Sequence, residues 1–387
     1  MMPLISSSVC EGGFSSERKD FEALAGLVEA PAMEEATGFD SSEDLKAIYF
    51  EGLDYKGKPT KVFAWLGMPE VKAGKAGKIP AKVPAMVLVH GGGGTAFKDW
   101  VQRWNKRGYA AISIAVEGQT DKRSEDGESW RKHEWAGPSR VGIYGDAKEE
   151  FKDQWMYHAA ADTILAHSLI RSLPRVDADK VGLMGISWGG VITSTVIGLD
   201  DRFAFAIPTY GCGDLSEAQN QYGKSLANNS TYKEVYDPLL RFDKVKMPTL
   251  WFSWPEDKHF PMDKFANSYK AVSGSYAVSL IPKMGHGHGP PWGKPDSYAF
   301  AESITEHGKP WCRQESLERE GNKVVVIFES SEPLREPVLV YSTNEGITGQ
   351  RKWLEAMAMG IKKGDTYTVQ ANLPEGVTGW FVNVKCG

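Results

Sequence analysis

Val181-Gly-Leu-Met-Gly-Ile-Ser-Trp-Gly-Gly190 is the stretch whose reading decides the fold. It contains G-x-S-x-G, with Gly185, Ser187 and Gly189 at the fixed positions. The apolar run 181–186 reads as a strand, and the small residues 191–198 read as a helix. A serine at such a junction sits where a nucleophile elbow would place it. The turn forces the serine backbone into a strained conformation. Glycines two residues to either side let strand and helix pack closely. The helix N-terminus beyond the serine favours negative charge there. The plainer alternative is a glycine-rich turn that happens to hold a serine; the strand-to-helix setting favours the chemical reading.

Working outward, residues 85–90, 110–116, 203–210, 249–254 and 276–282 are short continuous apolar runs like 181–186. Runs of this length suit strands buried on both faces, as in a parallel sheet. Helical stretches fall between them, at 97–107, 147–173 and 262–272; in the second, Trp155, Ala159, Leu165, Leu169 and Leu173 recur near helical spacing. The alternation predicts an α/β fold with a mostly parallel, doubly wound sheet and helices on both faces. Upstream, residues 45–53 and 60–68 read as strands joined by the turn Asp54-Tyr55-Lys56-Gly57, and 71–84 as an exposed loop. Residues 1–44 form a polar N-terminal extension with one short helix near 21–28. Past Cys312 the texture becomes all-β: 323–328, 337–342, 366–373 and 380–384 are short strands between Gly and Pro, and 353–359 is ambiguous. The expected division is an extension (1–44), an α/β catalytic domain (45–311) and a small sandwich-like β domain (312–387).

Composition bounds the function. A chain of 387 residues is long enough for a large core without staples. Hydrophobic content of 41% and charged content of 25% exclude disorder as the main state. Forty-five Lys+Arg against 50 Asp+Glu leave a net charge of −5, so no basic surplus argues for nucleic acid. No apolar stretch is long enough to span a membrane. The four cysteines, at 10, 212, 312 and 386, share no C-x-x-C spacing, which argues against a zinc knuckle; whether two of them pair is left open. Met1-Met2-Pro3-Leu4 lacks a basic segment followed by an apolar run, so no signal peptide is visible; the compartment is left open, secretion and periplasm included.

Three further segments complete a chemical constellation. His90-Gly-Gly-Gly-Gly-Thr-Ala-Phe97 follows the third strand of the reading. Acyl transfer needs backbone N–H donors aimed at a developing oxyanion, and glycines let a backbone come that close. One donor would be Trp188, the residue after the nucleophile, and the other Gly92 or Gly93. A phosphate loop is the rival, but neither G-K-[ST] nor G-x-G-x-x-G is present. His90 reads as structural. A serine needs a base, and the base an orienting acid. The run 249–254 ends in Pro255-Glu256-Asp257-Lys258-His259, and the run 276–282 ends in Lys283-Met284-Gly285-His286-Gly287-His288. Ser187, Asp257 and His286 then stand in the expected order, with Glu256 the alternative acid and His288 the alternative base. Pocket lining is the bland reading of His259 and His288. A metal site from Glu256, Asp257, His259, His286 and His288 is the sharper rival; it would leave the elbow and the glycine loop without a purpose, so no metal or other cofactor is expected.

The chain resembles the α/β-hydrolase superfamily, and within it the acetyl xylan esterase and dienelactone hydrolase-like branch. The resemblance rests on HGGGGTAF with Trp100 and Trp104, Arg107-Gly108-Tyr109, Gly185-Ile-Ser-Trp-Gly-Gly190, the Glu256-Asp257 and Phe260-Pro261 loop, and Met284-Gly-His-Gly-His288. It covers about residues 45–310. It implies hydrolysis of a carboxylic ester through an acyl-enzyme, with a Ser187–His286–Asp257 triad and a short acyl group such as acetyl. Dienelactone hydrolases commonly use a cysteine nucleophile, so Ser187 argues against that substrate. A serine peptidase or amidase with the same triad is the alternative, and a catalytically silent binding protein a third. Specificity is expected from segments over the carboxyl ends of the strands. These are 118–146, with Trp130, His133, Trp135 and Tyr144; 210–237, with Tyr210, Cys212, Tyr222 and Tyr232; and Trp292. With His259 and His288, the aromatics Trp130, Trp135, Tyr210 and Trp292 are the candidate substrate-binding residues, suited to a glycan or other small ester. The oligomeric state is left open, a homodimer among the options.

Overall fold

The structure, a computed structural model, describes residues 14–70 and 82–386. Cys10 and most of the loop expected at 71–84 lie outside the described residues. In chain order the strands of the first part are β1 (Met33–Glu35), β2 (Leu45–Glu51), β3 (Lys61–Gly67), β4 (Val83–Val89), β5 (Ala110–Ile114), β6 (Gln119–Arg123), β7 (Trp130–Lys132), β8 (Val176–Ile186), β9 (Phe205–Thr209), β10 (Thr249–Ser253) and β11 (Tyr276–Leu280). The helices are α1 (Ser15–Glu22), α2 (Lys98–Asn105), α3 (Trp155–Ser172), α4 (Trp188–Val196), α5 (Gln221–Leu226), α6 (Met262–Ala271) and α7 (Asp296–His307).

Nine strands form one sheet in the order β1-β2-β3-β5-β4-β8-β9-β10-β11; β6 and β7 make a separate ribbon. From β5 to β11 every pairing is parallel, and β1, β2 and β3 join antiparallel. The continuous apolar runs take the central places: residues 85–89 of β4 are wholly buried. The run at 276–282 is different. As the edge strand β11 it alternates between exposed and covered positions, with Tyr276 and Val278 open to solvent. A short apolar run does not distinguish an edge from a centre.

The long helix starts later than its apolar spacing suggests. Residues 147–154 form turns and a 3-10 segment, and the carboxylate of Asp146 accepts the Trp155 N–H at 2.5 Å where α3 begins. Helix α3 is buried from Trp155 to Ile170 because the N-terminal segment lies over it. Phe21 meets the rings of Phe151, Tyr157 and Tyr236, and Ser168 donates to the Leu27 carbonyl. The residues expected as a polar extension therefore complete the core, and β1 adds an edge to the sheet.

Beyond α7 the chain is all-β: β12 (Cys312–Glu320), β13 (Lys323–Ser330), β14 (Leu334–Ser342), β15 (Leu354–Met357), β16 (Met359–Lys363), β17 (Thr366–Asn372) and β18 (Gly379–Cys386). The ambiguous stretch near 353–359 resolves into β15 and β16, which lie in different sheets. The two antiparallel sheets, β12-β13-β17-β16 and β15-β14-β18, enclose a core of their own around Val324, Val326, Leu339 and Val369. This β domain docks on the first part through specific bonds. Thr348 Oγ1 accepts the Met262 N–H at 3.1 Å where α6 begins, Asn383 donates to the Leu280 carbonyl at 2.8 Å, and Trp311 meets Phe300 edge-on. Among the described residues no helix is long and apolar enough to cross a membrane.

Strand β4 lies between β5 and β8, so successive connections leave it toward opposite sides of the sheet. The crevice at such a switch point, beyond the carboxyl ends of the strands, is where ligands bind in open α/β sheets. The loop after β4 is His90–Phe97, and the turn after β8 holds Ser187.

Candidate active site

Ser187 stands between β8 and α4 with φ 61° and ψ −117°, a backbone conformation that costs a non-glycine residue roughly 1–3 kcal/mol. The turn holds because its flanks have no side chains in the way. A Cβ on Gly185 would lie 2.0 Å from the Gly189 carbonyl oxygen, and one on Gly189 would lie 2.1 Å from that of Val89. The Ser187 N–H donates to the Thr209 carbonyl at 2.9 Å, tying the elbow to β9.

His286 Nε2 lies 3.0 Å from Ser187 Oγ, and its Nδ1 lies 2.8 Å from Asp257 Oδ2. The Asp257 carboxylate is buried and four donors surround it. Oδ2 also accepts from Trp254 Nε1 at 3.1 Å, and Oδ1 accepts the backbone N–H groups of His259 at 2.8 Å and Phe260 at 2.9 Å. Those bonds fix the carboxylate as an acceptor for the imidazole N–H. Glu256 turns elsewhere, with Oε2 3.4 Å from the Lys283 amide, so Asp257 is the acid facing the ring.

The ring is held from its faces. Tyr210 lies under it at 4.6 Å between centroids, His259 at 4.7 Å and Phe260 at 6.0 Å nearly parallel. Tyr210 is wholly buried and its hydroxyl donates to the Gly285 carbonyl at 2.7 Å. Its place is therefore beneath the base loop and not in a pocket wall, because the end of β9 turns it inward.

The glycine loop sits beside the elbow. A Cβ on Gly91 would be 2.8 Å from that of Ser187. The Gly91 N–H donates to His288 Nε2 at 3.0 Å, and the Gly94 N–H to the Gly91 carbonyl. Among the described residues the amides of Gly92 and Gly93 have no acceptor. Gly92 borders Trp188: a Cβ there would lie 3.1 Å from Trp188 Cδ1, whereas one on Gly93 would meet nothing within 4 Å. Trp188 is the first residue of α4, so its amide is one of the helix's unsatisfied donors. His90 is buried beneath the loop. Its Nδ1–H donates to the Gly91 carbonyl and its Nε2 accepts from the Val116 amide and Gln119, while burial pushes its pKa down to about 3. It is a neutral structural side chain.

His288 is a link between loops. Accepting the Gly91 N–H, it joins the base loop to the glycine loop, and Phe97 and Trp100 pack on its ring. Burial lowers its pKa, which keeps that acceptor unprotonated. His259 Nδ1 pairs with Gln221 at 2.7 Å. The rings weighed as metal ligands are thus turned to separate partners. Trp130 lies over the glycine loop and donates to the Gly93 carbonyl at 2.9 Å. The remaining two aromatic candidates are not brought to the serine. Trp135 packs on Tyr49 and Lys61 at the outer strands, because the chain after β7 runs back along β3. Trp292 is buried against Trp100 behind the base loop.

Sequence reasoning missed one charged residue at the site, Arg140. Its guanidinium lies 5.0 Å from the Trp188 ring and pairs with Glu117 at 3.5 Å. Nothing in its spacing distinguishes it from the other basic residues of 118–146. The rings of Trp155, Tyr144 and Tyr222, each 5.6 Å away, enclose Trp188 on other sides.

The family model for acetyl xylan esterase matches residues 22–247, more than half of the chain, and stops before Asp257 and His286. The acetyl xylan esterase of a Paenibacillus species superposes with a TM-score of 0.54 at 20% identity, covering 74% of this chain and 92% of that one. Acetyl xylan esterase 1 of a Thermoanaerobacterium species gives 0.54 at 19%, covering 72% and 90%. Both are likenesses of fold. Among curated proteins, dipeptidyl aminopeptidase BIII of Pseudoxanthomonas mexicana is 25% identical over 271 residues, 63% of this chain, which spans 35% of that relative's length. The chain belongs to the acetyl xylan esterase family and has the α/β-hydrolase fold with a C-terminal antiparallel β domain.

Proposed function

We propose that this member of the acetyl xylan esterase family hydrolyses short-acyl carboxylic esters, acetyl above all, through an acyl-enzyme on Ser187. The observation that carries the reading is the continuous hydrogen-bonded chain from Ser187 Oγ through His286 to the buried Asp257 carboxylate. His286 Nε2 takes the serine proton as Oγ attacks the ester carbonyl. The oxyanion that forms is met by the Trp188 N–H, at the positive end of α4, and by the Gly92 N–H. Of the two glycines first considered, Gly92 is preferred because it borders Trp188. Asp257 keeps Nδ1 protonated and stabilises the imidazolium. His286 then protonates the leaving alcohol, and water repeats the sequence on the acyl-enzyme.

Hydrolysis of 4-nitrophenyl acetate, butyrate and octanoate, with Ser187→Ala and His286→Ala alongside, tests this. The expected result is acetate preferred and both variants inactive; activity surviving in Ser187→Ala overturns it. A peptidase reading draws on the aminopeptidase relative; amide turnover matching ester turnover would favour it. Failure of Ser187 to react with a fluorophosphonate probe would point to a silent binding protein.

A further inference from the structure

We infer that Arg140 receives a carboxylate carried by the substrate, so that the preferred ester is an anionic one; the inference rests on the esterase reading above. Arg140 lies against the glycine assigned to the oxyanion: a Cβ on Gly92 would be 2.8 Å from its Nη2. Its side chain is about four-fifths buried, with 19% exposed. A guanidinium offers five N–H donors in a fixed fork. Here Nη1 donates to the Gly142 carbonyl, Nε is buried with no hydrogen bond and Glu117 3.5 Å away, and Nη2 has no acceptor among the described residues.

Glu117 does not satisfy it. At 3.5 Å its carboxylate is well beyond the 2.7–2.9 Å of a charge-assisted bond. Burial raises the Glu117 pKa, against the opposing pull of Arg140 and Lys132. Lys132 stands on the same side, donating to the Glu117 carbonyl at 3.0 Å, so the cluster carries net positive charge. The one carboxylate at the catalytic centre, Asp257, is committed to His286. A neutral acetyl ester gives the free Nη2 nothing to hold, whereas a carboxylate near the scissile bond gives it a charged acceptor.

The probes are 3- and 4-acetoxybenzoate against the neutral 3- and 4-acetoxybenzamide, on the full chain. A charged contact of this kind makes kcat/KM for at least one benzoate about ten- to a hundredfold higher than for its amide. In Arg140→Gln that ratio falls to near one, and Arg140→Lys restores part of it; thermal unfolding shows whether each variant is folded. Benzoate and glucuronate as competitors of 4-acetoxybenzamide separate an aromatic acid from a sugar acid as the source. A ratio near one for both isomers in the parent protein overturns the inference, as does a high ratio retained in Arg140→Gln. Failure to cleave any of the four acetates, with no fluorophosphonate labelling, instead defeats the esterase reading itself.

Discussion

Gly349→Ala is the most incisive perturbation that the docking of the β domain offers. Gly349 lies on the segment between β14 and β15, pressed against the loop that holds Asp257. A Cβ there would be 2.2 Å from the Asp257 carbonyl oxygen, 2.7 Å from the Asp257 carbonyl carbon and 2.9 Å from Lys258 Cα. All three are backbone atoms, so no rotamer relieves the clash. To reach an ordinary contact of 3.4 Å, the surfaces must part by more than 1 Å. If the β domain yields, the Thr348–Met262 and Asn383–Leu280 bonds stretch. If the acid loop yields, Asp257 leaves its 2.8 Å contact with His286. Overpacking of this kind costs about 1–3 kcal/mol, and a displacement of about 1 Å at a catalytic group costs up to roughly a hundredfold in rate. We expect a lowered Tm together with a tenfold or greater fall in kcat for 4-nitrophenyl acetate and an almost unchanged KM. A variant with lowered Tm and full kcat would refute the reasoning, because the strain would then lie wholly in the β domain.

Two further outcomes are expected. Asp257→Asn loses about a thousand- to ten-thousandfold in kcat by fixing the wrong histidine tautomer, whereas Glu256→Gln stays within about threefold; steady-state kinetics on one aryl acetate separates them, and equal losses would reopen the choice of acid. Asp162 on α3 is buried, its Oδ1 has no hydrogen-bond partner, and burial pushes its pKa up from 3.8 to about 8. The folded state therefore holds a proton that the unfolded state releases between those values, so this residue's contribution to stability falls as pH rises from about 4 to 8. Asp162→Asn should gain over the parent protein progressively across that range, read as the difference in Tm at pH 5, 7 and 9; a constant difference would show that the carboxyl is not neutral in the fold.

Much of this arrangement is legible in the sequence because strong local rules act at those places. The elbow needs glycines where strand and helix nearly touch, so Gly185 and Gly189 mark Ser187. Strands covered on both faces carry continuous apolar runs, so β4, β5, β8, β9 and β10 stand out and carry the order of serine, acid and base with them. The same rule failed at β11, since being an edge depends on what lies beside it. The aromatic candidates were the least legible. Trp135, Tyr210 and Trp292 have the composition of a sugar platform, yet their positions follow from tertiary packing, and each is used as filler or support. Arg140 left no local mark, because its role comes from a neighbour, Gly92, far away in the chain. His288 was visible only as a second histidine; that its acceptor nitrogen ties two catalytic loops together follows from their meeting in space.

The seat of Gly349 against Asp257 also bears on when the site becomes competent. A nascent chain presents Ser187, then Asp257, then His286, and each can be in place while the loop around the acid is still unsupported. The surface that clamps that loop is translated only after all three, on a β domain with a core of its own, and domains generally fold as units as they emerge. If Ser187, Asp257 and His286 act as proposed, hydrolytic power is then expected only once the β domain has closed on that loop. An immature chain on the ribosome would carry a complete set of catalytic side chains and still be slow to acylate.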